Sequence, residues 1–259
     1  MLDYDKEAAQ YDATRGGDAR ADAAAAAIIK LLPIGLPQRG PQRIVDVACG
    51  TGIVTVRLAG PGRTVLGVDR APGMAAMAAQ RRRMPGRIAV GDATRLPLAS
   101  GTADVVTMIW LLHLLGNADS EQVITEAARV LRPGGTLITT VDKNDAAYRT
   151  GDDIARVIWP VRAGTAASQS DAADRVIALA RRYGLEPAAE TTFTGIGQGM
   201  SPRAHREHLR DRRPGWTTEA PADIVQRMYD DLAALPDQDR ARPGPAYKLL
   251  SLRKTLGHD

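Results

Sequence analysis

Ile44-Val45-Asp46-Val47-Ala48-Cys49-Gly50-Thr51-Gly52 decides the fold, because an apolar run ends on an acid and then breaks into small residues. Such a run reads as a buried strand feeding a loop and then a helix. A carboxylate at Asp46, near the strand's C-terminal end, is costly inside a sheet unless backbone or ligand donors satisfy it. Ala48, Gly50 and Gly52 allow close approach to the backbone, and Thr51 can open the helix that follows. The stretch predicts a loop with something bulky beside it.

Two cofactors use a strand, loop and helix of this kind. Dinucleotides use G-x-G-x-x-G, and S-adenosylmethionine uses an acid followed by a G-x-G-like loop. If Gly50 and Gly52 opened a dinucleotide fingerprint, the third glycine would fall at position 55, which is Thr55. With Ala48 before the pair, D-x-A-C-G-T-G resembles motif I of the class I S-adenosylmethionine-dependent methyltransferases. A Gly-rich turn without any ligand uses the same residues.

Three further stretches follow in the order of that family. Arg63 to Val68 is a second apolar strand ending at Asp69, 23 residues beyond Asp46, where an acid can accept both ribose hydroxyls of a nucleoside. A helix N-cap is the other reading of Asp69, since Pro72 follows. Gly91-Asp92-Ala93 comes after Arg87-Ile88-Ala89-Val90; alone it means a turn, and by the resemblance Asp92 accepts from the adenine amino group. Asp104 to His113 is a fourth strand and its exit, and Leu131-Arg132-Pro133-Gly134-Gly135 resembles the family's L-[KR]-P-G-G turn before strand five. The likeness, closest to the small-molecule group related to ubiquinone and menaquinone methyltransferases, covers about residues 1–142 and part of the last strand.

The resemblance implies S-adenosylmethionine as cofactor, with S-adenosylhomocysteine as product. It implies donor-binding roles for Asp46, Ala48, Cys49, Gly50, Gly52, Asp69, Arg70, Met74, Asp92, Ala93 and Ile109. Tyr11-Asp12-Ala13-Thr14-Arg15 resembles a Y-D-x-x-R lid in which Tyr11 and Arg15 close on the donor, Arg15 by a charge-assisted contact to its carboxylate. Met74 is equally at home in a core, and Arg70 on a solvated surface. His113 stands where the family carries the first histidine of L-H-H. Two roles are open to it: a general base for a phenol or amine acceptor, or a histidine that satisfies a hydrogen bond under a cap. Tyr148, Trp159 and Trp216 are candidate acceptor-pocket residues or core anchors.

His205 and His208, with Glu207 between them, lack a metal-site pattern and are expected on a surface helix, so no metal is expected. Cys49, the one cysteine, excludes an intramolecular disulfide and is read as a backbone or structural contact, not as a nucleophile.

The chain has 259 residues and a formal charge of +4, with basic runs at Arg81-Arg82-Arg83 and Arg210-Asp211-Arg212-Arg213. The first run closes a helix, where cations oppose the dipole, and the second is broken by an acid; both are read as solvated faces. Aromatics are 4% of residues, too few for base-stacking platforms, and Met108-Ile109-Trp110-Leu111 replaces the Asn/Asp-Pro-Pro-Tyr/Phe of base-nitrogen methylation. Nucleic acid is therefore not the expected partner. The acidic start, Met1 to Glu7, is no secretory leader, and Ala23 to Leu32 is too short for a bilayer, so a cytoplasmic, bacterial enzyme with no membrane partner is expected.

The organisation expected is α/β: a doubly wound, Rossmann-like, seven-stranded, mostly parallel sheet with helical cap insertions. Residues 1–42 form a lid and helix, 43–142 the S-adenosylmethionine-binding core, 143–243 cap elements interleaved with the sheet, and 244–259 the terminal strand. Helices are predicted near 18–32, 51–59, 72–83, 119–131, Asn144 to Trp159, Gln169 to Tyr183, 201–212 and 218–235. Strands are predicted near 43–48, 63–69, 86–91, 103–109, 135–142, 187–196 and 246–253. The expected function is methyl transfer to a small-molecule O, N or C nucleophile. The alternatives are a nicotinamide-dependent oxidoreductase, a nucleic-acid methyltransferase and a non-catalytic cofactor-binding protein.

Overall fold

The computed structural model describes residues 12, 16–33, 40–81, 87–165 and 169–256. Among these, one sheet contains β1 (Gln42–Val47), β2 (Arg63–Asp69), β3 (Ile88–Val90), β4 (Ala103–Met108), β5 (Leu131–Val141), β6 (Leu185–Thr194) and β7 (Ala246–Lys254). The strand order is β3-β2-β1-β4-β5-β7-β6. The first five are parallel, and β7 runs antiparallel to both β5 and β6. The winding direction reverses between β1 and β4, so their C-terminal edges bound a crevice, the place where open α/β sheets bind ligands.

Alternation along the strands divides the core between two faces. Val45, Val47, Val68, Val106 and Met108 point to one face, covered by α4 (Asn117–Val130) and α7 (Ala173–Arg181). Ile44, Val65 and Val105 point to the other, covered by α1 (Gly17–Leu31) and α2 (Thr55–Leu58). In α1 the alanines at 21, 24 and 25 and Ile28 share one buried stripe, which lets the helix lie close to the sheet. Helix α3 (Pro72–Gln80) follows β2 and starts with proline at its first position, where no N–H is missed.

A separate apolar cluster lies beyond the sheet: Ile154 and Ile158 of α6 (Asp153–Ala163), Leu209 of α8 (Pro202–Arg212), Trp216 of α9 (Gly215–Glu219), and Met228 and Leu232 of α10 (Ala222–Ala234). These helices form a cap with its own core. The chain enters and leaves the α8–α10 part of the cap through a neck in which Gly195 N–H donates to Pro245 O at 2.7 Å and Arg242 N–H donates to Met200 O at 3.0 Å. At Gly199 and Gly244 the opposing backbone leaves no room for a Cβ.

Several boundaries differ from the sequence reading. The helix expected over 144–159 is two: α5 (Lys143–Ala146), then α6, separated by Gly151 at φ +76° and restarted by Asp152, which accepts from Ala155 N–H at 2.8 Å. Pro160 lies inside α6 instead of ending it; it is exposed, and Ile154 and Ile158 on the opposite side carry the packing. The helix at 51–59 shrinks to Thr55–Leu58 because Gly50 and Gly52 take positive φ, and that at 218–235 is split by Pro221. Strand β5 begins at Leu131, with a register irregularity opposite Ala103 to Val105. No helix among the described residues is long and apolar enough to cross a membrane.

Candidate active site

Asp46 is the penultimate residue of β1 but is only 3% exposed, and two hydroxyls satisfy it: Thr55 Oγ1 donates to Oδ2 at 2.6 Å and Thr107 Oγ1 to Oδ1 at 2.7 Å. Burial pushes its carboxyl up to about 6, with Asp69 adding to the rise and the two hydroxyls opposing it. The expectation of a ligand on Asp46 is thus corrected, because its side chain has almost no surface left and instead ties the loop to β4. Ala48 takes a left-handed φ of +57°, and Cys49 N–H donates to Val68 O at 3.1 Å, so the loop folds back along β2. Burial raises the Cys49 thiol pKa far above its usual value, in keeping with an unreactive sulfur.

The two loop glycines have different reasons. At Gly50, with φ +55°, an added Cβ would meet nothing within 4 Å, so the backbone faces open space. At Gly52 a Cβ would press on Ala78 at 2.9 Å, so the packing of α3 requires glycine here. Asp69 binds the same loop: its carboxylate accepts from Gly50 N–H at 2.7 Å and Ala71 N–H at 2.9 Å. A carboxylate has about four acceptor positions, so capacity for further donors remains.

At the tip of β3, Asp92 is exposed, and Oδ1 accepts from Thr94 N–H at 2.8 Å and Thr94 Oγ1 at 2.7 Å. Those bonds lower its pKa, and Arg70, also exposed, adds to the effect. Ala93 is half-buried against the core. Met74 is corrected to a core residue, 1% exposed, with no surface to lay over an adenine; Ile109 is likewise buried at 7%. Tyr11 and Arg15 lie outside the described residues. Between them, Asp12 accepts from Thr51 Oγ1 at 2.6 Å and pairs with Arg81, which also donates to Thr51 O. Arg81 is thereby corrected from a solvated cation to the tie between the N-terminal segment and the loop.

On the other side of the crevice, β4 exits through Trp110, at φ +59°, into a 3-10 turn, Leu112–Leu114, that carries His113. His113 lines a cavity of about 420 Å³ with Asn144, Tyr148, Arg162, Gln169, Ser170 and Trp216, among others. The Tyr148 and Trp216 rings meet edge to face at 5.5 Å, and burial raises the Tyr148 hydroxyl pKa. Ser170 Oγ donates to Leu112 O at 2.7 Å, fixing the turn beside His113. Trp159 is outside this lining and lies under the Arg149 guanidinium at 4.3 Å, which corrects its assignment to the pocket.

Along one sheet edge, then, β3, β2 and β1 carry Asp92, Asp69 and the small-residue loop, while β4 and β5 open into the cavity. Residues 45–139 match the family model described as a methyltransferase domain. This segment is similar to a methyltransferase domain. A demethylmenaquinone methyltransferase of Mycolicibacterium vanbaalenii is 42% identical over 97 residues, 38% of this chain and 40% of that protein. The chain therefore spans about two fifths of the length of the curated relative it matches. Among solved structures, the (4+2)-cyclase SpnF aligns with TM-score 0.60 at 20% identity, over 98% of this chain and 95% of that one. A methyltransferase structure from Bacillus halodurans aligns with TM-score 0.56 at 19% identity, over 89% and 98%. Likeness at that identity concerns the fold, which hosts more than one chemistry.

Three features of this site escaped the sequence reading. Thr55 and Thr107 hold Asp46, and the one available signal was Thr55 standing where a dinucleotide fingerprint needs glycine. Trp110 packs edge-on to Phe193 and Tyr247 at 5.9 and 6.1 Å, with Arg20 3.6 Å above its ring, joining α1, β4 and the β6–β7 pair. His205 is corrected from surface decoration to a buried group, 6% exposed and 5.8 Å from the Tyr148 ring. The described residues contain no cluster able to hold a metal ion.

Proposed function

We propose that this protein transfers the methyl group of S-adenosylmethionine to a small-molecule O, N or C nucleophile held in the cavity beside His113. The observation that carries the reading is the division of one sheet edge: an open Gly50 backbone and the acids Asp69 and Asp92 on one side of β4, a cavity lined by His113 on the other. Bound there, S-adenosylmethionine supplies a methyl group on a cationic sulfur whose leaving group is a neutral thioether.

The chain's own part is to bind, orient and deprotonate. Gly50 admits the donor against the loop, and the remaining acceptor capacity of Asp69 receives its ribose hydroxyls, with Asp92 placed for the adenine amino group. Tyr11 and Arg15 act as the lid on the methionine end. Tyr148 and Trp216 hold a flat acceptor, and holding donor and nucleophile in line supplies roughly 7–11 kcal/mol of the barrier. His113 takes the proton of an O–H or N–H acceptor, a contribution on the order of 10²–10⁴ in rate. Such an enzyme acts in the cytoplasm, in specialised or cofactor metabolism.

Calorimetry with S-adenosylhomocysteine, followed by a screen of phenols, amines and activated carbon acids with labelled donor, tests the reading. With a substrate in hand, His113→Ala is expected to lower kcat by ~100-fold or more with donor affinity retained, and the loss shrinks as pH rises toward ionisation of the acceptor. Wild-type turnover by a stable His113→Ala protein leaves positioning as the mechanism. Absence of donor-product binding overturns the assignment of the donor.

A further inference from the structure

Gln169 Oε1 belongs to a residue in the cavity wall, is buried, and has no hydrogen-bond donor among the described residues. The amide's orientation is decided by its neighbour. Gln169 Nε2 donates to Asp145 Oδ1 at 2.7 Å, and since a carboxylate oxygen only accepts, the NH₂ faces Asp145 and the carbonyl faces away from it.

The arrangement is held from beneath. Asp145 Oδ1 also pairs with Arg162 Nη2 at 3.1 Å, and Arg162, whose side chain is 8% exposed, donates from Nη1 to Thr165 Oγ1 at 3.0 Å. The backbone around Gln169 is tied to the end of β5: Asp142 N–H donates to Asp171 O at 2.9 Å, and Lys143 N–H to Asp171 Oδ2 at 2.8 Å. An amide fixed this firmly, whose buried carbonyl has no donor among the described residues, retains acceptor capacity.

We propose that Gln169 Oε1 accepts a hydrogen bond from an O–H or N–H group of the molecule to be methylated, a group distinct from the nucleophile that faces His113. This rests on the methyl-transfer reading for its place and adds the acceptor's chemistry: a flat, ring-bearing molecule with a hydrogen-bond donor besides its nucleophile. A molecule presenting an ether or a C–H at that point leaves Oε1 unpaired.

Binding of matched probes reads this directly, by ligand-observed NMR with S-adenosylhomocysteine present. Hydroquinone is compared with its dimethyl ether, and naphthalenediol with its dimethyl ether. Wild type is expected to favour the hydroxyl member of a pair by ~10–100-fold. In Gln169→Met, which keeps the length and loses the acceptor, the preference collapses.

Equal binding within both pairs by wild type, as when Oε1 holds only water, overturns the proposal, and so does failure of every probe to bind at millimolar concentration. An undiminished preference in a folded Gln169→Met protein overturns it as well. The wild-type ratio stands as a test even where the variant does not fold. Tight binding of S-adenosylhomocysteine alongside equal probe binding defeats this inference and leaves methyl transfer standing; loss of S-adenosylhomocysteine binding defeats methyl transfer and leaves the probe ratio to judge Gln169.

Discussion

A buried carboxyl is where residue chemistry and fold meet most directly. Asp46 joins β1 to α2 and β4 through Thr55 and Thr107, and burial lifts its pKa from 3.8 to about 6. A folded pKa above the unfolded one makes its contribution fully present below about pH 3.8 and lost as pH rises through about 6. At neutral pH the ionised form costs about 3 kcal/mol relative to the low-pH state. Asp46→Asn removes that titration and keeps an acceptor for one hydroxyl. Urea unfolding from pH 4 to pH 7 is therefore expected to show a downward step in wild type that the variant lacks. Parallel stability curves would remove Asp46 as a titrating group. The sequence showed an acid needing partners; that the partners are hydroxyls nine and sixty-one residues away is a fact of the fold.

The cap helices carry an acid sensitivity of the opposite sign. His205 of α8 is pushed from 6.5 down to about 4, first by burial and then by the nearby His208 charge, with Asp152 opposing. The unfolded state takes up the proton first, so cap stability is expected to fall as pH drops from about 6.5 to about 4, by roughly 3 kcal/mol. The Asp153–Arg242 pair, with N–O distances of 2.7 and 2.8 Å, holds through this window, since Arg242 keeps the Asp153 carboxyl below its ordinary 3.8. Hydrogen exchange, corrected for intrinsic rate, should thus quicken across 202–234 at acid pH before it does in β1 and β4, and His205→Leu should abolish the difference. Uniform loss of protection would show that cap and sheet open together. Hydrophobic spacing showed that helices lie here, but not the break at Gly151 or the passage of α6 through Pro160, which the cap's own core decides.

Across the whole molecule, the strand order turns a linear series of motifs into two facing halves. A ligand that binds the folded crevice and not the unfolded chain stabilises the fold by mass action. S-adenosylhomocysteine at 100 times its Kd is expected to add about 2.7 kcal/mol and raise Tm by roughly 5–10 °C. NADH at equal concentration is expected to leave Tm unchanged, because position 55 holds Thr55, committed to Asp46, where a dinucleotide loop needs glycine. A shift with NADH and none with S-adenosylhomocysteine would reverse the choice of cofactor.

The βαβ rhythm, the small-residue loop at 48–52 and the acids Asp69 and Asp92 were legible from sequence, because each is written within a few consecutive residues whose period and breakers are local. The sequence also marked His113, Tyr148 and Trp216, which the structure brings to one cavity. Tertiary structure alone decided that Gly52 serves α3, that Met74 is core, that Trp159 stands apart and that Gln169 is held by Asp145. The physical reason is separation along the chain: each of these roles depends on a contact or on burial supplied by segments distant in sequence, and such pairings carry no local period to read.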